Sequence, residues 1–242
     1  MCIRMLIFWG IRMLKRFTDY FSKGELLLWG GSILLISVAF FGFDGSNYPA
    51  FIASLIGATS LIFNAKGNPF GQFLMIIFGL IYGYISYSCA YYGEMITYVG
   101  MTAPMALFAL ISWLRHPYKN NKAEVEVNNI GKKEVALMLA LSAVVTLIFY
   151  YILAYFDTAN LLPSTLSVTT SFIAVYLTFR RSPYFALAYA ANDIVLIVLW
   201  VMATVQDISY LSVLVCFAVF LANDLYGFLS WIKMQKRQLE NR

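Results

Sequence analysis

Apolar residues gather into eight long runs along this chain, separated by short polar breaks. The runs are roughly Glu25–Phe43, Pro49–Asn64, Pro69–Tyr91, Met95–Trp113, Glu134–Phe156, Pro163–Phe179, Pro183–Thr204 and Ser209–Ile232. A helix crossing a bilayer needs about 20 mostly apolar residues, and each run approaches or reaches that length. Hydrocarbon offers no partner to backbone N–H and C=O groups, so such runs must close their hydrogen bonds internally. The pattern predicts an all-α integral membrane protein with eight transmembrane helices. The second and sixth are short and leave little room for tilt.

Two stretches break the pattern. In the first 23 residues Arg4, Arg12, Lys15, Arg16, Asp19 and Lys23 fall near one helical face, with Phe8, Ile11, Leu14 and Phe21 mostly off it. That arrangement suits an amphipathic helix lying on the inner leaflet. The segment Pro117–Gly131 is polar, is the longest break, and divides the chain into halves.

Composition sharpens the class. Hydrophobic residues make up 61 % and charged residues 12 % of the 242 positions, against about 45–50 % and about 25 % in soluble domains. An ordinary soluble domain, a disordered chain and a nucleic-acid binder are excluded. The three cysteines lie far apart and form neither a metal spacing nor a disulfide framework. With eight spans, all 17 lysines and arginines fall on one side, while Asp44, Glu94, Asp157 and Asp207 lie in the opposite loops. Basic loops stay cytoplasmic, so both termini are expected in the cytoplasm.

Pro49–Trp113 and Pro163–Trp231 read as copies of one three-helix unit. Each opens with a short Ser/Thr-bearing helix: Ser54, Thr59 and Ser60 in one, Ser167, Thr169, Thr170 and Ser171 in the other. Each turns through a basic loop into a polar-Pro pair, Asn68-Pro69 or Ser182-Pro183, runs to an acidic turn, and returns to end in Ser-Trp. An odd number of crossings between the units keeps them parallel, a transporter signature. The expected division is an amphipathic segment (1–24), an extra span (25–43), a first repeat (49–116), a cytoplasmic loop (117–133), a linker helix (134–156), a second repeat (163–232) and a cytoplasmic tail (233–242).

Two acids, Asp193 and Asp224, lie inside predicted spans, where an ionised carboxylate costs about 2.5–3.5 kcal/mol on insertion scales. Each follows an asparagine, Asn192 or Asn223. Consecutive helical residues point about 100° apart, so the two members of a pair rarely face one cavity. The expectation is that Asn192 and Asn223 face a cavity between the repeats and bond a ligand, while the acids hold helices together or tune the cavity's potential. Packing between helices accounts for the same groups. Gln72, the deep Tyr82, Trp200 and Tyr226 complete the candidate site. Trp29, Trp113 and Trp231 sit at span ends, where a membrane-interface belt is expected, as it is for Tyr84, Tyr87, Tyr91 and Tyr92. Pro104 permits a bend in the fourth span. His116, the only histidine, reads as a solvated loop residue, and no hydrolase, metalloprotease or phosphate-loop motif is visible. The reading is a non-enzyme without cofactors.

From Pro49 onward the chain resembles the PnuC family of bacterial nicotinamide riboside transporters, within the SWEET-like superfamily. The likeness rests on Asn192-Asp193, the run Asn223-Asp224-Leu225-Tyr226-Gly227 with Trp231 and the basic residues after it, and Lys66 to Pro69 ahead of Gln72. It implies facilitated diffusion of nicotinamide riboside across the inner membrane, with a cytoplasmic kinase trapping the product. Another vitamin or a sugar as cargo, and proton coupling through Asp193 or Asp224, stay open, as does a homo-oligomer.

Overall fold

The computed structural model describes residues 20–88, 92–158 and 160–241. The expected surface helix lies outside the described residues except for its last few positions. Among the described residues there are eight helices long and apolar enough to cross a membrane: α1 (Lys23–Asp44), α2 (Tyr48–Ala65), α3 (Phe70–Ser88), α4 (Tyr92–Arg115), α5 (Lys132–Tyr155), α6 (Leu161–Phe179), α7 (Phe185–Gln206) and α8 (Ile208–Glu240). Their ends fall within about three residues of the sequence reading, except at α8. That helix runs on through its basic tail because Met234 and Gln238 are buried there rather than solvated.

Local chemistry sets the helix starts and bends. Ser22 and Glu25 form a reciprocal capping box at the start of α1. Asn47 caps α2, with Pro49 in its first turn. In α4, Pro104 has no N–H to give the Gly100 carbonyl. The helix answers with a widened turn at Tyr98–Thr102, in which the Ala103 N–H bonds Tyr98 O. The α2–α3 and α6–α7 turns have the same build: Gly67 (φ +65°) and Arg181 (φ +57°) take up the left-handed conformation just before Asn68-Pro69 and Ser182-Pro183. A left-handed arginine costs about 1–2 kcal/mol. Its guanidinium compensates, with Nε donating to Glu126 O and Nη1 to Ser112 Oγ. Burial, followed by the neighbouring Arg180 charge, lowers Arg181 from its ordinary pKa.

Within the first triplet α2 packs on α3 and α3 on α4; within the second α6 packs on α7 and α7 on α8. Between triplets, α2 meets α8 and α6 meets α4, a reciprocal arrangement. The two remaining helices obey the same symmetry. Helix α5 lies against α6 and α4, and α1, expected as an addition outside the repeat, lies against α2 and α8. The polar contacts match as well. In the first turn of α1, Glu25 pairs with Lys66 at the end of α2, 3.1 Å apart. In the first turn of α5, Glu134 pairs with Arg180 just past the end of α6, Nη2 lying 3.1 Å from Oε2.

The face that gathers the basic residues is closed by a short hairpin and a strap. Strands β1 (Pro117–Tyr118) and β2 (Asn121–Val125) pair antiparallel around Lys119 and Asn120, both at positive φ, as a two-residue hairpin requires. The segment expected as a polar loop then crosses both triplets. Val125 N–H donates to Gly67 O (2.9 Å) and Asn128 N–H to Arg181 O (3.0 Å). Val127 N–H donates to Gln238 Oε1 (2.8 Å). Val125 is fully enclosed and Val127 nearly so; two apolar positions within a polar stretch are too few to stand out in the sequence.

Candidate functional site

Helices α7 and α8 bring the carboxyl groups of Asp193 and Asp224 against one another. Both are buried, at 4 % and 5 % exposure. Two buried carboxylates side by side cannot both be ionised, so the pair carries at most one negative charge. Among the described residues no donor reaches Asp193 Oδ2. At 1.5 Å per residue, Asp193 lies about 12 Å beyond Phe185 at the start of α7, and Asp224 about 10 Å before Trp231. Tyr189, one turn before Asp193, sits beside both acids and close to Thr178 on α6.

The two asparagines turn away from each other. Asn192 Oδ1 accepts from Thr170 Oγ1 (2.8 Å) and Ser171 Oγ (3.1 Å) on α6. Asn223 Nδ2 donates to Ser32 Oγ on α1 (2.8 Å) and to Val219 O, and its enclosed Oδ1 has no partner among the described residues. In this structure the two amides bond different helices, α6 and α1. The 100° offset between neighbours sends the amides to those helices and the acids to each other. Tyr226 also faces α1, its hydroxyl donating to Glu25 Oε1 at 3.1 Å.

Gln72 belongs to a separate cluster at the start of α3. Its Nε2 donates to Asn64 Oδ1 (2.8 Å), Asn64 Nδ2 to Ser60 Oγ (3.2 Å), and Ser60 Oγ to Gly71 O (3.0 Å). Tyr82 and Trp200 lie toward the acidic face in an aromatic layer. Tyr82 packs on Phe78 and Tyr98, with ring centres 4.7 and 5.2 Å away. Trp200 stacks on Phe217 and touches Tyr210.

Three tryptophans were expected in the interface belt, and the structure corrects two of them. Trp113 and Trp231 are fully buried, with ring centres 5.3 Å apart and Phe185 against both. Trp29 is half-buried and donates to Thr59 on α2. His116 is exposed, with Nδ1 2.7 Å from Ser112 O at the end of α4. Sequence reasoning missed Tyr189, Thr178 and Asn64. The last two were findable: each lies five residues before the proline of its repeat's turn, Pro183 or Pro69.

The basic face also holds a recess of about 370 Å³ between the start of α1, the hairpin and the tail of α8, lined by Glu25, Lys66, Glu124, Lys233 and Arg237 among others. Its Glu25–Lys66 and Glu124–Arg237 pairs satisfy most of its charges.

A family model described as nicotinamide mononucleotide transporter matches residues 47–233. The chain is 26 % identical over 238 residues to a nicotinamide riboside transporter PnuC of Neisseria mucosa, covering 96 % of this chain and 89 % of the relative. It is 22 % identical to the PnuC of the same description from Haemophilus influenzae, covering 79 % and 82 %. A crystal structure of the vitamin B3 transporter PnuC superposes with a TM-score of 0.76 at 22 % identity, over 90 % of this chain and 94 % of that one.

Proposed function

The chain belongs to the nicotinamide mononucleotide transporter family, a multi-pass membrane protein, and from that premise we propose that it takes up nicotinamide riboside by facilitated diffusion. The observation that carries this reading is the Asp193–Asp224 pair. Nicotinamide riboside has a cationic pyridinium ring and no phosphate. A buried acidic pair beside Tyr189 suits such a cation, because either carboxyl can release its proton as the ring charge arrives. Nicotinamide mononucleotide adds a phosphate, which would need cations of its own. Every lysine and arginine of the chain lies outside the middle of the spans, so the buried path favours the riboside. The names of both PnuC relatives point the same way.

Asp193 and Asp224 would balance the ring charge, Asn192 and Gln72 would offer amides to the ribose and carboxamide, and Tyr82 and Trp200 would line the path. Asn223 and Tyr226 would hold α8 to α1. The units 49–116 and 163–232 would rock about the linker 134–156 to expose the site alternately, with no chemistry performed on the cargo. The membrane potential draws a cation inward by about 2.3 kcal/mol per 100 mV, so uptake needs no coupling ion. The setting would be a bacterial inner membrane with both termini cytoplasmic, and a cytoplasmic kinase would trap the product. A homo-oligomer in the bilayer is compatible with the lipid-facing exposure of α5.

The carboxyl pair favours one second reading, proton symport, because it can gain or lose a proton. Liposomes holding only this protein separate the two. Equilibration of nicotinamide riboside without a pH or sodium gradient supports uniport. Strict dependence on a proton gradient, abolished by Asp193→Asn or Asp224→Asn, moves the assignment to symport. Calorimetry of the purified protein against nicotinamide riboside, nicotinamide mononucleotide, thiamine, riboflavin and a hexose tests the cargo. Tighter binding of the mononucleotide than of the riboside overturns it.

A further inference from the structure

We infer that Trp113 and Trp231 are the gate on the basic side of the transport path, with the strap at 124–128 as its bolt. The inference rests on the transport reading above and adds positioning residues that do not touch the cargo.

The two side chains make reciprocal bonds across the interface between triplets. Trp113, near the end of α4, donates from Nε1 to Thr178 O near the end of α6, at 2.9 Å. Trp231 of α8 donates from Nε1 to Asn64 O near the end of α2, at 2.7 Å. Each triplet thus contributes one indole donor and accepts one, on opposite sides of the contact. The rings meet at the centre, and Phe185 closes the remaining side. This aromatic layer lies about 10–12 Å on the basic side of the carboxyl pair. A path running between the triplets from Asp193 and Asp224 to that face would have to part the rings. If the triplets separate at this end, both N–H bonds stretch together.

The strap covers the plug from outside. Val125 and Val127 belong to the same apolar cluster as Trp113, Phe185 and Trp231. Their backbone joins Gly67 of the first triplet's turn, Gln238 of the α8 tail and, through Asn128, Arg180 and Arg181 of the second triplet's turn. One short segment therefore ties together the two turns that opening would part. The arrangement is a closed gate with a latch, held by hydrogen bonds that break singly rather than by one continuous sheet.

The test is side-specific accessibility. The full chain carries Cys2→Ser, Cys89→Ser and Cys216→Ala, plus one reporter, Ala190→Cys, on α7 between the plug and the acids. Liposomes are treated with a membrane-impermeant thiosulfonate from one side or the other, without cargo. Trp113→Phe with Trp231→Phe keeps both rings and removes both donors. The expected result is labelling about tenfold faster from the cytoplasmic side and unchanged from the opposite side. Each single variant, and Gln238→Ala in the latch, should give about threefold; these carry the test should the double variant fail to fold. Unchanged labelling in all of them, or an equal rise from both sides, overturns the gate. The readout uses no cargo, so a response here together with absent nicotinamide riboside binding upholds the gate and removes only the cargo assignment.

Discussion

At the scale of single residues, an acid in a membrane span needs a neighbour that shares its charge, and here each acid is the other's neighbour. Removing one leaves a lone carboxyl that no longer shares its proton. If the pair attracts the pyridinium ring, Asp193→Asn and Asp224→Asn should each weaken nicotinamide riboside binding about tenfold, or about 1.4 kcal/mol. Binding of a nicotinamide analogue with a neutral ring should stay within about threefold. Calorimetry with both ligands checks this, and equal losses for both would count against charge recognition. Asn192 also holds helices together. Its Oδ1 accepts two hydroxyls from α6, so Asn192→Ala should lower stability by about 1–3 kcal/mol by leaving buried donors unpaired. A thermal-unfolding midpoint unmoved in detergent would contradict that. The acids and amides were legible as residues of interest because polar groups stand out in apolar runs. Which of them face one another was not, because a 100° step decides it and only packing fixes where the zero lies.

At the scale of elements, α1 shows what periodicity cannot reveal. As a sequence it is an added span; in space it holds the first triplet as α5 holds the second. The two ion pairs that mark this symmetry are not of equal weight. The Glu25 side chain is 6 % exposed and also bonds Tyr226 and Ser22 N–H, whereas Arg180 and Glu134 are 37 % and 24 % exposed. Glu25→Gln should therefore cost about 1–3 kcal/mol, and Glu134→Gln no more than about 1 kcal/mol. Paired denaturation curves decide the order. The turn into α3 offers a sharper check. A methyl group at Gly71 would lie 2.2 Å from Asn64 Oδ1, whereas one at Gly227 meets nothing closer than 3.5 Å. Gly71→Ala should destabilise by about 1–3 kcal/mol and disrupt the Gln72–Asn64–Ser60 chain, while Gly227→Ala changes stability by about 1 kcal/mol or less. A rigid-body pivot at Gly227 would then rest on close packing with Ala186 and Ala65 rather than on loose backbone.

At the scale of the whole molecule, charge and topology meet. The basic turns, the hairpin and the tail of α8 share one face, and the turns bearing Asp44, Asp157 and Asp207 share the other. At Asp207, hydrogen bonds from Ser209 hold the carboxyl below its ordinary range. A cysteine at Lys122 should react with an impermeant maleimide only from the cytoplasm, and one at Asp157 only from outside. Labelling of the Lys122 position from outside in intact cells would invert the orientation. The strap lies across both triplets at the basic face. In the proposed cycle, rocking would begin by loosening Val125, Val127 and Asn128 before the triplets part.

Hydropathy by itself determined that this is a membrane protein, where its helices run and which loops share a face. Each of those follows from a sum over many residues, and local surprises average out. Short motifs brought the family into view, because a polar residue retained in hydrocarbon has few structural excuses. The tertiary structure alone decided that two tryptophans which read as interface anchors are a buried pair, that a polar loop is a strap, and that the acids rather than the amides meet. Those outcomes depend on rotation about a helix axis and on contacts between residues far apart in the chain, and neither is written in any local stretch of sequence.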